Sequence, residues 1–251
     1  MRQREPAICL RRSDYSETSQ VLHFHTRGWG VARVLAKGAK RPKSASGGAI
    51  DLLSEGELVF IPGSPGGLGT LVEFTETFTR QGLRKEARRL NAALYMVELV
   101  GEALAEGDPH PEIFDLLHNG LDRLGQDGAP VGAVLAYFQW RLLRCVGLLG
   151  ELKTCVGCGR AAITQTAPRG GVYFSSIQGG LLCPSCQGAA PEKRRLDGAT
   201  LAGLATLAAV AAGRKVSLPD AQAIGVNRLL AYHASYQLGK PLKMARHAIG
   251  V

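Results

Sequence analysis

Through residues 5–78 the hydrophobic positions come in short runs rich in β-branched residues, and turn residues separate them. Ala7–Arg12, Gln20–His25, Gly30–Ala36, Glu57–Ile61 and Thr70–Phe78 read as five strands. Ser13–Ser19, Thr26-Arg27-Gly28-Trp29 and a Pro/Gly-rich stretch from Pro62 are the turns between them. On the last strand Leu71, Glu73, Thr75 and Thr77 alternate with Val72, Phe74, Glu76 and Phe78, and the second, more apolar set is expected to face inward. From Leu83 the period lengthens to that of a helix. Leu90, Leu94, Val97, Gly101 and Leu104 align on one face, and Gly107-Asp-Pro-His-Pro ends that helix. A second helix, Glu112–Leu124, aligns Ile113, Leu117, Leu121 and Leu124. A third, opened by Pro130, aligns Val131, Val134, Leu135, Phe138, Leu142, Cys145 and Leu149. These three stripes are expected to be buried against one another. Further on, Val172–Phe174 and Gly180–Leu182 suggest a hairpin, Ala199–Ala212 an Ala-rich helix, and Pro219 to about Leu238 a last helix with Ala223, Val226, Leu230 and Tyr236 inward.

Five strands with no long helix between them are economically satisfied by a small closed barrel such as the OB-fold, because closure removes sheet edges. A small sandwich is the alternative on pattern alone. The expected fold class is therefore α+β and multidomain. An N-terminal OB-fold barrel over residues 1–80 precedes an α-helical domain over 81–251, which carries a cysteine knuckle at about 152–190.

That knuckle is the sharpest chemical signal. Cys155 and Cys158 are spaced Cys-x-x-Cys, as are Cys183 and Cys186, with 24 residues between the pairs. Two such turns facing each other present four thiolates in a tetrahedron, the arrangement of a structural Zn²⁺ site. Two disulfides, a redox pair or tetrahedral iron are the alternatives. Four sulfurs close the coordination shell, whereas a catalytic zinc keeps a position open for water. Cys9 and Cys145 fall in apolar patterns and read as buried small hydrophobes.

Charge sharpens the picture. The 251 residues carry a net charge of +9, distributed as +6 over 1–89, −5 over 90–150 and +8 over 151–251. No acidic residue lies between Glu17 and Asp51, a stretch that contains Arg27, Arg33, Lys37, Lys40, Arg41 and Lys43. Cations on a loop after the third strand suit phosphates, and Tyr15, Phe24 and Trp29 nearby offer either stacking faces or core. Arg80, Arg84, Lys85, Arg88 and Arg89 form a second basic set, either facing an anion or neutralised by Glu86 and the acidic middle region. Lys193-Arg194-Arg195 is a further short basic run.

Catalytic motifs are missing. There is no phosphate-binding Gly-x-x-x-x-Gly-Lys-Ser/Thr, no Gly-x-Ser-x-Gly and no His-Glu-x-x-His, so the chain reads as no enzyme. His23 and His25 share a strand face and suggest barrel surface or a weak metal pair. Leu201–Gly213 is too short to cross a bilayer, and MRQREPAICLRR has charges on both sides of its apolar stretch, unlike an export signal. A reducing cytoplasm, with no membrane partner, is expected.

The segment Leu10–Ser44, with Tyr-Ser-Glu-Thr-Ser at 15–19, Thr-x-x-x-Gly at 26–30 and Ala-Lys-Gly-Ala-Lys-Arg at 36–41, resembles the RecO family of bacterial recombination mediators. So do Leu94–Val100, the cysteine pairs with the intervening Phe174–Cys183, and the ending Gly239–Arg246. The chain departs from the family pattern at Ile50-Asp-Leu-Leu53 and at Lys243-Met244. The resemblance implies an OB-fold followed by a helical domain, commonly with a zinc knuckle. It implies binding of single- and double-stranded DNA and annealing of complementary strands. The implied partners are RecR and the acidic C-terminal tail of single-stranded-DNA-binding protein, with help in loading RecA and a nucleoid-associated place in the cytoplasm. Under it, Arg27, Arg33, Lys37, Lys40, Arg41 and Lys43 would hold DNA, Arg84, Lys85 and Arg88 would extend the track, and Cys155, Cys158, Cys183 and Cys186 would hold a structural Zn²⁺. The rivals are a zinc-ribbon nucleic-acid regulator that does not anneal, a zinc-dependent hydrolase, and a scaffold for acidic proteins.

Overall fold

The structure, a computed structural model, describes residues 1–41, 44, 47–64, 66–162, 171–211 and 217–250. The chain packs as two compact units, Met1–Ala129 and Pro130–Val251.

In the first unit, β1 (Gln3–Asp14), β2 (Gln20–Thr26), β3 (Gly30–Ala36), β4 (Glu55–Ile61) and β5 (Gly69–Phe78) close into a barrel in the order β1-β2-β3-β5-β4. Antiparallel pairing joins all neighbours except β3 and β5, which meet in a short parallel contact, Val34↔Gly69 and Leu35↔Thr70. This is the connectivity of the OB-fold, as the strand pattern predicts. β1 is twice the expected length because it serves two neighbours: Gln3–Ile8 pairs with β4, and Ala7–Asp14 with β2. Cys9, Leu22, Phe24, Val34, Leu58, Phe60 and Phe74 fill the interior, with Phe24 and Phe74 ring centroids 5.2 Å apart. Cys9 is fully buried, and desolvation pushes its thiol pKa up to about 12.

Strict alternation fails on β5. Leu58 pairs with Phe74 and Phe60 with Leu71, so β5 spends one residue more than β4 across that interval. The bulge reverses side-chain parity, and Leu71 and Phe74 both pack on the core although they were expected on opposite faces. A second register shift, between Glu55 and Gly56, leaves Phe78 47% exposed. Gly56 is needed there, since a Cβ would lie 2.1 Å from the carbonyl oxygen of Thr75.

α1 (Ala87–Ala103) and α2 (Pro111–Gly125) pack with the barrel and with each other. All four residues of the α2 stripe are fully buried. The α1 stripe is rotated from expectation. Ala92, Ala93, Met96, Leu99 and Val100 are buried, Leu90 and Leu94 half-buried, and Gly101 exposed. A helix with so broad an apolar arc gives period without phase. His25 does not lie on the barrel surface either. It is fully buried, with its ring 5.8 Å from Phe114 of α2 and neither nitrogen hydrogen-bonded. Burial, then the neighbouring His110, pushes its pKa down to about 4.

The second unit begins with α3 (Val131–Cys145), which packs on α5 (Asp220–Gln237). An apolar stripe states that a helix is buried, not against what. The Gln139 amide donates to Asn227 Oδ1 at 2.8 Å, and Asn227 Nδ2 to the carbonyl of Gly132 at 2.9 Å, tying the two helices. α4 (Gly198–Ala211) also packs on α5. β6 (Tyr173–Ser175) and β7 (Gly180–Leu182) form the expected hairpin, and β8 (Arg194–Arg195) joins it in the order β7-β6-β8. α6 (Ala245–Ile249) closes the unit. Ala223, Val226 and Leu230 face inward on α5 as expected, but Tyr236 is 43% exposed. Cys145 is half-buried.

The His25 environment sets a pH dependence for the first unit. The unfolded chain takes up a proton near pH 6.5 and the folded unit only near pH 4. Stability is therefore full above about pH 6.5 and is lost on acidification through that window, by about 3 kcal/mol. Urea unfolding from pH 7 to pH 4.5 should show this slope, and His25→Leu should flatten it.

Candidate nucleic-acid interface and metal centre

The turn after β3 carries the densest basic run. It is tied down more firmly than a solvated loop. Gly38, at φ +64°, donates its N–H to Ser19 Oγ at 3.2 Å, and the Lys40 N–H donates to the carbonyl of Thr18 at 3.0 Å. Both contacts fix it beside the β1–β2 loop, where Tyr15 is 66% exposed. That loop and the strand-2/strand-3 face are where OB-folds hold oligonucleotides. Trp29 instead packs edge-on to Phe60, 6.0 Å between centroids, and Phe24 is core.

The predicted cations divide into two groups. Lys37 and Arg41 are exposed, as is Arg88, and among the described residues no carboxylate lies within ion-pair distance of any of the three. The others hold acids of their own unit. Arg27 makes a two-pronged pair with Asp115 of α2 at 3.0 and 2.9 Å, which holds that carboxyl below its usual range. Arg33 pairs with Glu106 at 2.9 Å, Lys40 with Asp14 at 2.7 Å, Arg84 with Asp51 at 2.7 Å and Lys85 with Asp127 at 3.5 Å. Lys43 lies outside the described residues. Arg11, His23 and Arg33 form a cross-strand row over β1, β2 and β3. Burial together with the two guanidiniums lowers the pKa of His23.

In the second basic set, Arg80 and Arg89 are structural. Arg89 is almost fully buried and reaches Glu86 at 2.6 Å and Asp127 at 3.3 Å. Arg80 is buried against Glu55, whose other oxygen lies 2.6 Å from His118 Nδ1. Beside this cluster is a cavity of about 260 Å³ lined by Asp51, Leu52, Leu53, Glu76, Arg80 and Arg84. Leu53 has a left-handed backbone there, φ 69°, which no sequence signal marks.

In the second unit the four cysteines converge as the spacing predicts. All four sulfurs lie within 4.8 Å of one another, with Cys155 and Cys183 buried and Cys158 exposed. Both turns are built by backbone hydrogen bonds. Gly159 N–H reaches the Cys155 carbonyl at 2.8 Å, with Gly159 at φ +72°, and Cys186 N–H reaches the Cys183 carbonyl at 3.1 Å. The hairpin holds the first turn in place through the Val156 N–H, which donates to the Leu181 carbonyl at 2.8 Å. Two further donors meet the sulfurs: Cys183 N–H at 3.4 Å from Cys155 Sγ and Arg160 Nε at 3.4 Å from Cys158 Sγ. The guanidinium lowers the Cys158 thiol pKa to about 6. Donors aimed at sulfur, and thiols free of disulfide bonds, are what a metal-thiolate cluster needs, so the four could bind a metal ion.

Comparison with known proteins gives the chain's relatives. Residues 1–80 match a family model described as Recombination protein O N terminal, and residues 84–246 one described as Recombination protein O C terminal. A DNA repair protein RecO from an Anaeromyxobacter species is 33% identical over 244 residues, 95% of this chain and 92% of that protein. One from Rhodopirellula baltica is 34% identical over 184 residues, 72% of this chain and 66% of that protein. One from Bacillus subtilis is 30% identical over 179 residues, 71% of this chain and 66% of that protein.

The buried Glu55 and the half-buried Asp51 should answer mutation differently. Glu55→Ala strands the Arg80 guanidinium and should cost about 3 kcal/mol in chemical unfolding. Asp51→Ala, at a pair open to water, should cost well under half of that.

Proposed function

Because the chain belongs to the RecO family of DNA repair proteins, we propose that it is a recombination mediator that binds single- and double-stranded DNA and anneals complementary strands. With RecR it would help load RecA onto strands coated by single-stranded-DNA-binding protein, whose acidic tail it would recognise. On this reading it works in the cytoplasm and turns over no substrate. Among the described residues, no helix is long and apolar enough to cross a membrane.

The observation that carries the reading is the closed OB-type barrel with Lys37 and Arg41 unpaired on a turn pinned beside an exposed Tyr15. Lys37, Arg41 and Lys43 would make the first phosphate contacts. Arg27, Arg33 and Lys40 would join only by exchanging their carboxylates for phosphate, and Arg84, Lys85 and Arg88 would extend the track. Annealing would follow from charge: a cationic surface lowers the repulsion between two polyanions and raises their local concentration. The four thiolates would hold Zn²⁺ as a structural ion that keeps the two cysteine turns and the hairpin together.

The deciding experiment is the annealing of two labelled complementary oligonucleotides at two salt concentrations, without nucleotide. Acceleration that fades as salt rises is expected. Tight binding with no acceleration would overturn the mediator reading in favour of a zinc-ribbon regulator. Neutralising Lys37, Lys40, Arg41 and Lys43 together should weaken binding and make the slope of log affinity against log salt shallower. An unchanged slope would place the footprint elsewhere. For the metal, elemental analysis should find one zinc per chain. Cys155→Ser should lower that content and the melting temperature of the second unit while leaving the first unit's unfolding unchanged.

A further inference from the structure

α5 exposes a row of side chains that the barrel does not explain. Steps of four from Ile224 lead to Arg228, Tyr232 and Tyr236, all on one helix face. Ile224 and Tyr236 are 49% and 43% exposed, far more than core positions of the same helix. β8 adds Arg194, and the residue just before it is Lys193, both exposed. The Arg194 guanidinium carbon sits 3.7 Å from the centroid of the Tyr232 ring, and the Tyr232 and Tyr236 centroids are 6.4 Å apart.

Two tethers hold this face in register. The Tyr232 hydroxyl donates to one oxygen of Glu192 at 3.3 Å, and the other oxygen accepts the Ser176 N–H at 2.6 Å. Lys193 Nζ donates to the Gln187 carbonyl at 2.7 Å, a neutral partner that leaves its charge uncompensated. Among the described residues, no carboxylate lies within ion-pair distance of Arg194 or Arg228. Glu192 is engaged by Tyr232 and Ser176. The face is thus cationic and aromatic at once, in a region, 151–251, whose net charge is +8.

We infer that this face is a second nucleic-acid surface, specific for single strands, an inference that rests on the DNA-binding reading above. Arg194 and Arg228 take phosphates, and Tyr236 stacks a base. The stack of Arg194 on Tyr232 orders the guanidinium in advance while its N–H groups stay free to donate. The exposed ring decides the class of ligand. An acidic peptide would use the cations and leave Tyr236 idle, and a duplex hides its base faces, whereas every unpaired base offers one.

The test uses the full chain and a labelled oligothymidylate, with binding read by fluorescence anisotropy across a salt series. Arg194→Glu/Arg228→Glu should bind at least about tenfold more weakly, with the salt slope reduced by about 1.4, the value for two lost phosphate contacts on a single strand. Tyr236→Leu, at an exposed position that the fold does not need, should weaken binding about fivefold or more with the slope unchanged. If wild type binds no oligonucleotide, the DNA-binding reading fails and this inference with it. If wild type binds and loop variants at Lys37 and Arg41 weaken it, but the Arg194/Arg228 and Tyr236 variants match wild type, the α5 surface alone is overturned. If only charge reversal matters and Tyr236→Leu is silent, the single-strand assignment is overturned, and an acidic protein partner becomes the better occupant.

Discussion

At Gly69 the backbone of β5 passes so close to its neighbours that a Cβ would lie 2.6 Å from the carbonyl oxygen of Ile61 and 3.3 Å from that of Arg33. Only glycine lets β5 start this close to the end of β4, beside β3, and only two residue pairs make the β3 contact. If it opened, β3 and β5 would become exposed edges and the barrel an open, curled sheet. The turn carrying Lys37 and Arg41 leaves from the end of β3, directly after this contact, so closure at one point positions it.

Buried polar groups play the complementary part, choosing one packing among several that would bury similar apolar area. The Gln20 side chain exchanges two hydrogen bonds with the backbone of Ile50, at 3.0 and 3.2 Å, and so draws an irregular loop down onto the barrel end. Gln139 and Asn227 do the same for α3 and α5. Each bond nets about 1 kcal/mol, but a slip of one helix turn would leave both amides buried and unmet, which costs more than the bonds contribute.

Much of this was readable in the sequence, and the failures share a cause. All five strands and the α2 stripe were placed correctly, and the four cysteines met as their spacing required, because each depends on local geometry. Leu71 was misassigned because a bulge on β5 changes parity without leaving a mark in composition. The α1 face was rotated because Ala, Leu, Met and Val fill a broad arc, with Arg88, Asn91, Glu98 and Glu102 opposite, and its edge was taken for its centre. α5 as the partner of α3 was not foreseen, because an amphipathic pattern does not name its neighbour. For the same reason a run of cations without nearby acids in sequence gave no warning of Asp115 and Glu106, whereas Asp127 lies in the acidic region already weighed as neutralising Lys85 and Arg89. Those three carboxylates are distant along the chain and reach the barrel's cations, or those at its helical junction, only once it folds. Tyr236 stood out only after folding left it exposed.

The pairing of Arg27 with Asp115 and Arg33 with Glu106 also bears on how long a strand would stay. A polyanion settling on bare cations gains the entropy of expelled salt ions; one settling here must first evict a tethered carboxylate, which remains within reach. The evicted group competes for its old place at an effective concentration that no dilution lowers. Such a surface would capture strands through its few open charges and shed them readily through its many occupied ones, a kinetic character suited to handing DNA on.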